Sequence, residues 1–184
     1  MIISIIGDSF SSDHNMGSWI AMLSENNTVY NYSQRGSSEY RIYKNLVDNL
    51  EQIKKSDRVI VFHTNPDRVY IPDTVNYPTR QLASHKNCDM LINDVFSKNS
   101  WKSIADLYYR HFFDQQYQLD IWQLMFDKIN NLLKEISVLN FTGFDINYMD
   151  VTSISSIKTS NPGNINHLDL LGNQAVYNII VKLI

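Results

Sequence analysis

Three short apolar runs, separated by segments with helical periodicity, constrain the fold of this chain more than any other feature. They cover residues 2–6, 28–32 and 58–62. The first and third are almost continuously apolar, which is typical of strands buried on both faces of a parallel sheet. The resulting order β-α-β-α-β predicts an α/β fold, namely a three-layer α/β/α sandwich with a mainly parallel sheet.

Two amphipathic helices are predicted between these strands. The first lies between Gly17 and Leu23. The second begins at Ser37 or Ser38, because serine is a favoured N-cap residue and apolar residues follow it at helical spacing. The expected inner positions of the second helix are Tyr40, Ile42, Tyr43, Leu46, Val47, Leu50 and Ile53.

The second half of the chain predicts more helix and one more strand. Residues 101–136 contain neither glycine nor proline, but this span is long for one helix, so we expect a break near residues 111–116. A fourth strand is predicted at 138–141, a polar loop at 150–165 and a closing helix at 171–184. The expected inner positions of the long helical span are Ile104, Leu107, Tyr108, Ile121, Leu124, Met125, Ile129 and Leu132.

Residues 64–100 interrupt the alternation of strands and helices. Three prolines fall among polar residues there, and helical periodicity is weak until Asp89. A long irregular segment within a compact domain is usually functional or mobile, so we predict an insertion near the functional site. The 184 residues have the length of a single domain with one core, spanning 1–184.

Composition narrows the classes of partner. The formal net charge is −3 and no stretch concentrates lysine and arginine, so no nucleic acid partner is expected. No apolar run is long enough to span a bilayer and no signal-peptide pattern begins the chain; we therefore expect no membrane association and a cytoplasmic location. A single cysteine, Cys88, excludes an internal disulfide. The histidines His14, His85 and His111 have no metal-site spacing, so no metal is expected.

Polar residues and glycines follow each predicted strand at its carboxyl end, where parallel sheets bind ligands. Ser9 follows the first strand, Gly36 the second and Asn65 the third, while Asn164 and His167 precede the last helix. Ester cleavage by a serine needs a hydroxyl, a base within reach and preorganised donors for the oxyanion. This pattern predicts Ser9 as nucleophile and His167 as base. The Ser9 N–H, the Gly36 N–H and the Asn65 amide are the expected oxyanion donors.

Four blocks of the sequence resemble those of the SGNH (GDSL-like) hydrolase superfamily. They are residues 5–11 with Gly7-Asp8-Ser9, residues 31–38 with Gly36, residues 62–65 with Asn65, and residues 164–168 with His167. The resemblance covers nearly the whole chain and implies a flavodoxin-like fold and a small single-domain esterase without a cofactor. It also implies a small ester as substrate, with O-acetyl groups on carbohydrate as the leading class.

The chain departs from the superfamily pattern at two positions. His63 stands where the third block usually has a glycine, and we expect its side chain to intrude on the site or to shift the backbone. Asn164 stands where the fourth block usually has the aspartate that orients the histidine. The enzyme is then expected to use a Ser-His dyad, or a triad in which Asn164 orients His167.

Two other functions remain open from the sequence. A catalytically degenerate binding or structural module of the same fold would account for Asn164 and His63. A flavodoxin-like domain that binds phosphate through the first loop is weaker, because that loop lacks a run of donors and His167 would have no role.

Several other polar residues have ordinary structural interpretations. Asp8 is expected to brace the first loop by accepting backbone hydrogen bonds. Four residues of the irregular segment are expected to be solvated rather than bound to a sugar or an acidic group: Arg68, Tyr70, Tyr77 and Arg80.

Overall fold

The computed structural model of the protein describes residues 1–12, 15–72, 89–91, 101–146, 150–163 and 167–184. Its centre is a five-stranded sheet in the order β2-β1-β3-β4-β5, with every pairing parallel. The strands are β1 (Ile2–Gly7), β2 (Thr28–Asn31), β3 (Arg58–His63), β4 (Ser137–Thr142) and β5 (Thr152–Ser153).

Six α-helices lie among the described residues. They are α1 (Trp19–Ser24), α2 (Glu39–Ile53), α3 (Trp101–His111), α4 (Gln115–Leu132), α5 (Ser155–Ser160) and α6 (Leu170–Leu183). Side chains cap four of their amino ends, each by accepting a hydrogen bond from a backbone N–H in the first turn. The capping residues are Ser18, Ser38, Asp114 and Asp169.

The sheet separates two apolar cores, which is why β1 and β3 are almost continuously apolar. On one face, Ile3 and Ile5 of β1 pack with residues of α1 and α6 such as Trp19 and Val176. On the other face, Ile6 packs with residues of α2 and α4 such as Ile42. The predicted α/β/α sandwich with a parallel sheet is therefore confirmed.

The long helical span breaks where expected, since α3 ends at His111 and α4 begins at Gln115. The expectation of a loop over residues 150–165 is wrong, because β5 and α5 lie there. These elements have two and six residues, too few to produce a recognisable period, and β5 is an exposed edge strand.

Some predicted inner positions are also wrong. The buried stripe of α2 follows Ile42, Leu46 and Ile53, whereas Tyr40 and Val47 lie beside it and are exposed. Ile104, Leu107 and Leu124 are likewise exposed. Because the helical span breaks between α3 and α4, the buried face of α4 is not the one that a single unbroken helix would bury. Its buried residues are Gln118, Trp122, Met125, Phe126 and Ile129.

Parts of the irregular segment are described. Val69 and Met90 form an antiparallel bridge, and Ile71, Met90 and Ala105 make a third small apolar cluster. Within the described ranges, no helix is long and apolar enough to cross a membrane.

Candidate active site

Ser9 is held at the carboxyl end of β1 by a tight loop. Asp8 Oδ1 accepts a hydrogen bond from Phe10 N at 2.9 Å, as expected for a bracing residue, and residues 9–11 form a short 3-10 helix. Gly7 is required because a Cβ there would lie 2.5 Å from the Phe62 carbonyl oxygen. Ser9 is half-buried, and neither its Oγ nor its N–H donates a hydrogen bond to a described residue.

Gly36 lies in the loop between β2 and α2, next to the loop that carries Ser9. Gln34 N donates to the Gly7 carbonyl at 3.0 Å, which joins the two loops. Gly36 has φ +70°, a conformation that favours glycine. Its carbonyl accepts from Asp89 N at 2.8 Å, while its own N–H has no acceptor among the described residues.

Asn65 follows β3, which lies beside β1 with Phe62 paired to Gly7. The loops that carry Asn65 and Ser9 therefore leave the same edge of the sheet from neighbouring strands. Asn65 Oδ1 accepts a hydrogen bond from Asp67 N at 2.8 Å, so the side-chain oxygen already has a partner. The Nδ2 group has no acceptor within the described part of the chain, so it remains a donor.

His167 is placed at this edge by its contact with Phe10, the residue after Ser9. The two ring centroids are 5.6 Å apart. The backbone around His167 is held by two contacts: Gly163 N donates to the His167 carbonyl, and Pro162 forms a bridge with Leu168. The predicted orienting residue, Asn164, lies outside the described residues.

His63 does not intrude on this edge, so the expected intrusion of its side chain is wrong. Side chains alternate along a strand, and Phe62 faces the α1/α6 layer, so His63 faces the α2/α4 layer. Its ring is fully buried and packs against Trp122 and Phe126 at centroid distances of 5.9 and 4.8 Å.

Both His63 ring nitrogens meet oxygen acceptors. Nδ1 lies 2.6 Å from Glu39 Oε1 and Nε2 lies 3.0 Å from Asn140 Oδ1. Asn140 Nδ2 donates to Asn130, so its Oδ1 is the group that faces His63. Only an imidazolium donates from both nitrogens. Burial opposes this charge, but the Glu39 carboxylate and the two hydrogen bonds outweigh it and raise the pKa of His63 above 6.5.

Asp8, in the loop that carries Ser9, is also a buried titratable group. Its burial raises the pKa of its carboxyl from 3.8 to about 6, although the Phe10 N–H and the positive charge of Arg68 act in the opposite direction. A raised pKa means that the folded protein holds this proton more tightly than the unfolded chain does.

We expect the free energy of unfolding to fall as pH rises from 4 to 8. The buried Asp8 carboxyl stabilises the folded protein while it is protonated. This stabilisation, on the order of 3 kcal/mol, is lost as pH rises from 3.8 to 6. The stabilisation from charged His63 is complete below pH 6.5 and is lost as pH rises through its raised pKa. Urea denaturation across this range measures the slope, and Asp8→Asn should flatten the part below pH 6. Stability that increases from pH 5 to 8 would contradict the assignment.

Asp89 organises the loops around Gly36, and nothing local in the sequence indicates this role. Its carboxylate forms a buried ion pair with Arg41, Nη2 to Oδ1 at 2.8 Å. It also accepts from Ser38 N at 2.7 Å and Ile71 N at 2.9 Å. Asp89 thus joins the start of α2, the Gly36 loop and the segment after β3, contacts that span about fifty residues of sequence.

Arg68 and Tyr70 are half-buried, so the expectation that they are solvated is wrong. Arg68 Nη1 donates to the carbonyls of Gly36 and Asp89, and the Tyr70 hydroxyl accepts from Lys44 Nζ at 3.0 Å. Arg80 and Tyr77 lie outside the described residues, as do His14 and His85. His111 is exposed. Within the described ranges, no three His, Cys, Asp or Glu side chains are grouped to hold a metal.

This chain is similar to known proteins in structure, but its sequence alone finds no match. No protein-family profile and no curated protein match the sequence. The lipase Lip_vut3 from a goat rumen metagenome matches with a TM-score of 0.52 at 10% identity, over 99% of this chain and 96% of that chain. The psychrotrophic esterase EstA from Pseudoalteromonas sp. gives a TM-score of 0.53 at 12% identity, over 99% and 97%.

Both likenesses extend over nearly the full length of each chain. They agree with the resemblance in the four sequence blocks, and they confirm the architecture that this resemblance implies. The chain therefore shares the α/β/α fold of these two ester hydrolases.

Proposed function

We propose that the protein is a serine esterase that hydrolyses a small carboxylic ester, with Ser9 as nucleophile and His167 as general base. The observation that carries this proposal is the set of donors at one edge of the sheet. The Ser9 hydroxyl, the Ser9 N–H and the Gly36 N–H all lack acceptors among the described residues. His167 lies close to them, because its ring contacts that of Phe10, the residue after Ser9.

The proposed reaction has two halves. Ser9 Oγ attacks the ester carbonyl carbon while His167 removes the hydroxyl proton, and the carbonyl electrons move onto oxygen. The N–H groups of Ser9 and Gly36 and the amide of Asn65 stabilise this oxyanion. The bond to the alcohol oxygen then breaks and His167 returns the proton to it. Water, deprotonated by His167, releases the acid and restores Ser9; no cofactor is needed.

Asn164 sets the expected speed of this reaction. We propose that its side-chain oxygen orients His167, but an amide does not offset the imidazolium charge as an aspartate does. Turnover should therefore be slow. A binding module of the same fold is the alternative that this residue favours. The proposed substrate class, an O-acetyl group on carbohydrate, rests on the superfamily resemblance.

A fluorophosphonate probe tests the nucleophile directly, because it reacts with serine hydroxyls that an adjacent base activates. We expect one adduct per chain, located on Ser9 by peptide mass spectrometry, and none in Ser9→Ala. The exposed Ser156 is the matched comparison, and Ser156→Ala should label like the wild type. No adduct would favour the binding module, and an adduct on another serine would overturn Ser9 as the nucleophile.

Gly36→Ala is expected to reduce ester hydrolysis by about tenfold or more, because a Cβ disfavours φ +70° and displaces an oxyanion donor. Its free energy of unfolding should fall by about 1–2 kcal/mol. Gly17→Ala controls for the strain, since Gly17 has φ +90° and lies outside the four blocks. Steady-state kinetics and urea denaturation measure both effects; equal losses of activity in the two variants would contradict a role for the Gly36 N–H.

A further inference from the structure

A cleft of about 280 Å³ opens beside the Gly36 and Asn65 loops. Residues that closely follow those two loops form its inner end: Ser38, Glu39, Pro66 and Arg68. Arg68 Nη1 donates to the Gly36 carbonyl at 3.3 Å, so the cleft adjoins the backbone that carries a proposed oxyanion donor. The proposed reaction steps use none of the residues that line this cleft.

Arg68 brings a positive charge to the cleft; this charge acts on the buried carboxyl of Asp8, but no ion pair joins the two side chains. Among the described residues, no carboxylate lies within 4 Å of its guanidinium. Its Nη1 makes two long hydrogen bonds to carbonyl oxygens, at 3.3 and 3.4 Å, and its Nε is buried without an acceptor. A guanidinium has five donors in a planar fork that matches a carboxylate.

Glu39, the other charged residue of the lining, does not cancel this charge. Its Oε1 is paired with His63 and its Oε2 accepts from Thr64 N at 3.2 Å, so the carboxylate is already compensated. Among the described lining residues, Arg68 is therefore the charged group without an ion-pair partner. A single positive charge fits a monoanion such as a carboxylate better than the double charge of a phosphate.

Aromatic rings form the remaining walls of the cleft. They are Tyr40, Tyr70, Tyr108, Tyr117 and Trp122. Such rings bury the apolar faces of a flat or ring-shaped group, while Gln118 adds a polar amide. Tyr117 is exposed and Trp122 is buried, so the rings line the cleft from its mouth to its floor.

We propose that this cleft binds the alcohol part of the ester substrate, and that this part is a ring-shaped group bearing a carboxylate, which Arg68 recognises. The inference rests on the proposed esterase function. Because the proposed acyl group is small, the larger alcohol part is the one that needs a cleft. Arg68 is a specificity-determining residue in this assignment and takes no part in bond breaking.

Two acetyl esters test the inference: 4-acetoxybenzoate and its neutral counterpart 4-acetoxybenzamide. They differ in intrinsic reactivity, so the quantity compared is the ratio of their kcat/KM values. Arg68→Gln should lower the ratio of kcat/KM for the benzoate ester to that for the benzamide ester about tenfold or more, because one charge-assisted pair is lost. Arg68→Lys should retain part of the preference. Arg110→Gln, at an exposed arginine of α3, should leave the ratio unchanged.

Binding of the free acid separates this inference from the esterase proposal. Titration calorimetry should show that benzoate binds the wild type more tightly than benzamide does, whether or not turnover occurs, and that Arg68→Gln removes the difference. Ser9-dependent hydrolysis of both esters with an unchanged ratio in Arg68→Gln would overturn the inference alone. Absent hydrolysis with selective benzoate binding would overturn the esterase proposal and the assignment to an ester's alcohol part, and would leave the recognition of a carboxylate by Arg68. Equal binding of benzoate and benzamide would overturn the cleft assignment, and circular dichroism establishes that each variant is folded.

Discussion

Ser9→Ala should lower kcat/KM for p-nitrophenyl acetate by about 10³-fold or more and abolish the burst of p-nitrophenol. Alanine removes the hydroxyl that becomes acylated but keeps the backbone N–H that faces the oxyanion. Ser9 makes no side-chain hydrogen bond to a described residue, so the substitution should leave the free energy of unfolding within about 0.5 kcal/mol of the wild type. Stopped-flow and steady-state kinetics measure the effect.

The partner variant distinguishes a dyad from a serine that acts alone. His167→Ala should lower kcat/KM by a similar factor. The double variant should have a kcat/KM only slightly below that of either single variant, because nucleophile and base act as a unit. His111→Ala, at an exposed histidine, is the matched control and should retain full activity. Activity that survives Ser9→Ala would eliminate the proposed mechanism and leave the binding module.

The sequence predicts the scaffold of the site better than its surroundings. Strand ends are readable because apolar runs stop at Gly7 and His63, and the parallel order then brings Ser9 and Asn65 to one edge. Gly36 follows from the same logic, since a glycine at a strand-to-helix turn favours a positive φ. These inferences need only local periodicity and the rule that ligands bind at the carboxyl ends of parallel strands.

The errors arise where contacts cross the chain. The expectation that His63 intrudes on the site or shifts the backbone arises because the sequence shows its position at the end of a strand but not the partner that it meets on the other face. Glu39 is that partner, and it lies 24 residues earlier in the chain. Asp89 is a similar case, since its ion pair with Arg41 spans 48 residues and falls in a segment without periodicity.

Glu39→Ala should lower the free energy of unfolding by about 3–5 kcal/mol, because buried His63 must then either stay charged without its counter-ion or give up its proton. The pair is buried, with His63 at 0% and Glu39 at 4% exposure, so solvent does not screen the loss. Glu51→Ala is the matched control: this glutamate is 86% exposed, and its removal should change stability by no more than about 0.5 kcal/mol. Urea denaturation at pH 6 measures both variants.

Glu39→Gln distinguishes the charge from the packing. Glutamine keeps the volume and an oxygen for Thr64 N, but it loses the negative charge that holds the proton on His63. The neutral ring then accepts a hydrogen bond at one nitrogen, so the cost depends on removing that proton. The destabilisation by Glu39→Gln should therefore be largest at pH 5 and shrink toward pH 8. A destabilisation that is the same at both pH values would mean that His63 is neutral in the folded protein and that Glu39 acts there only as a hydrogen-bond acceptor.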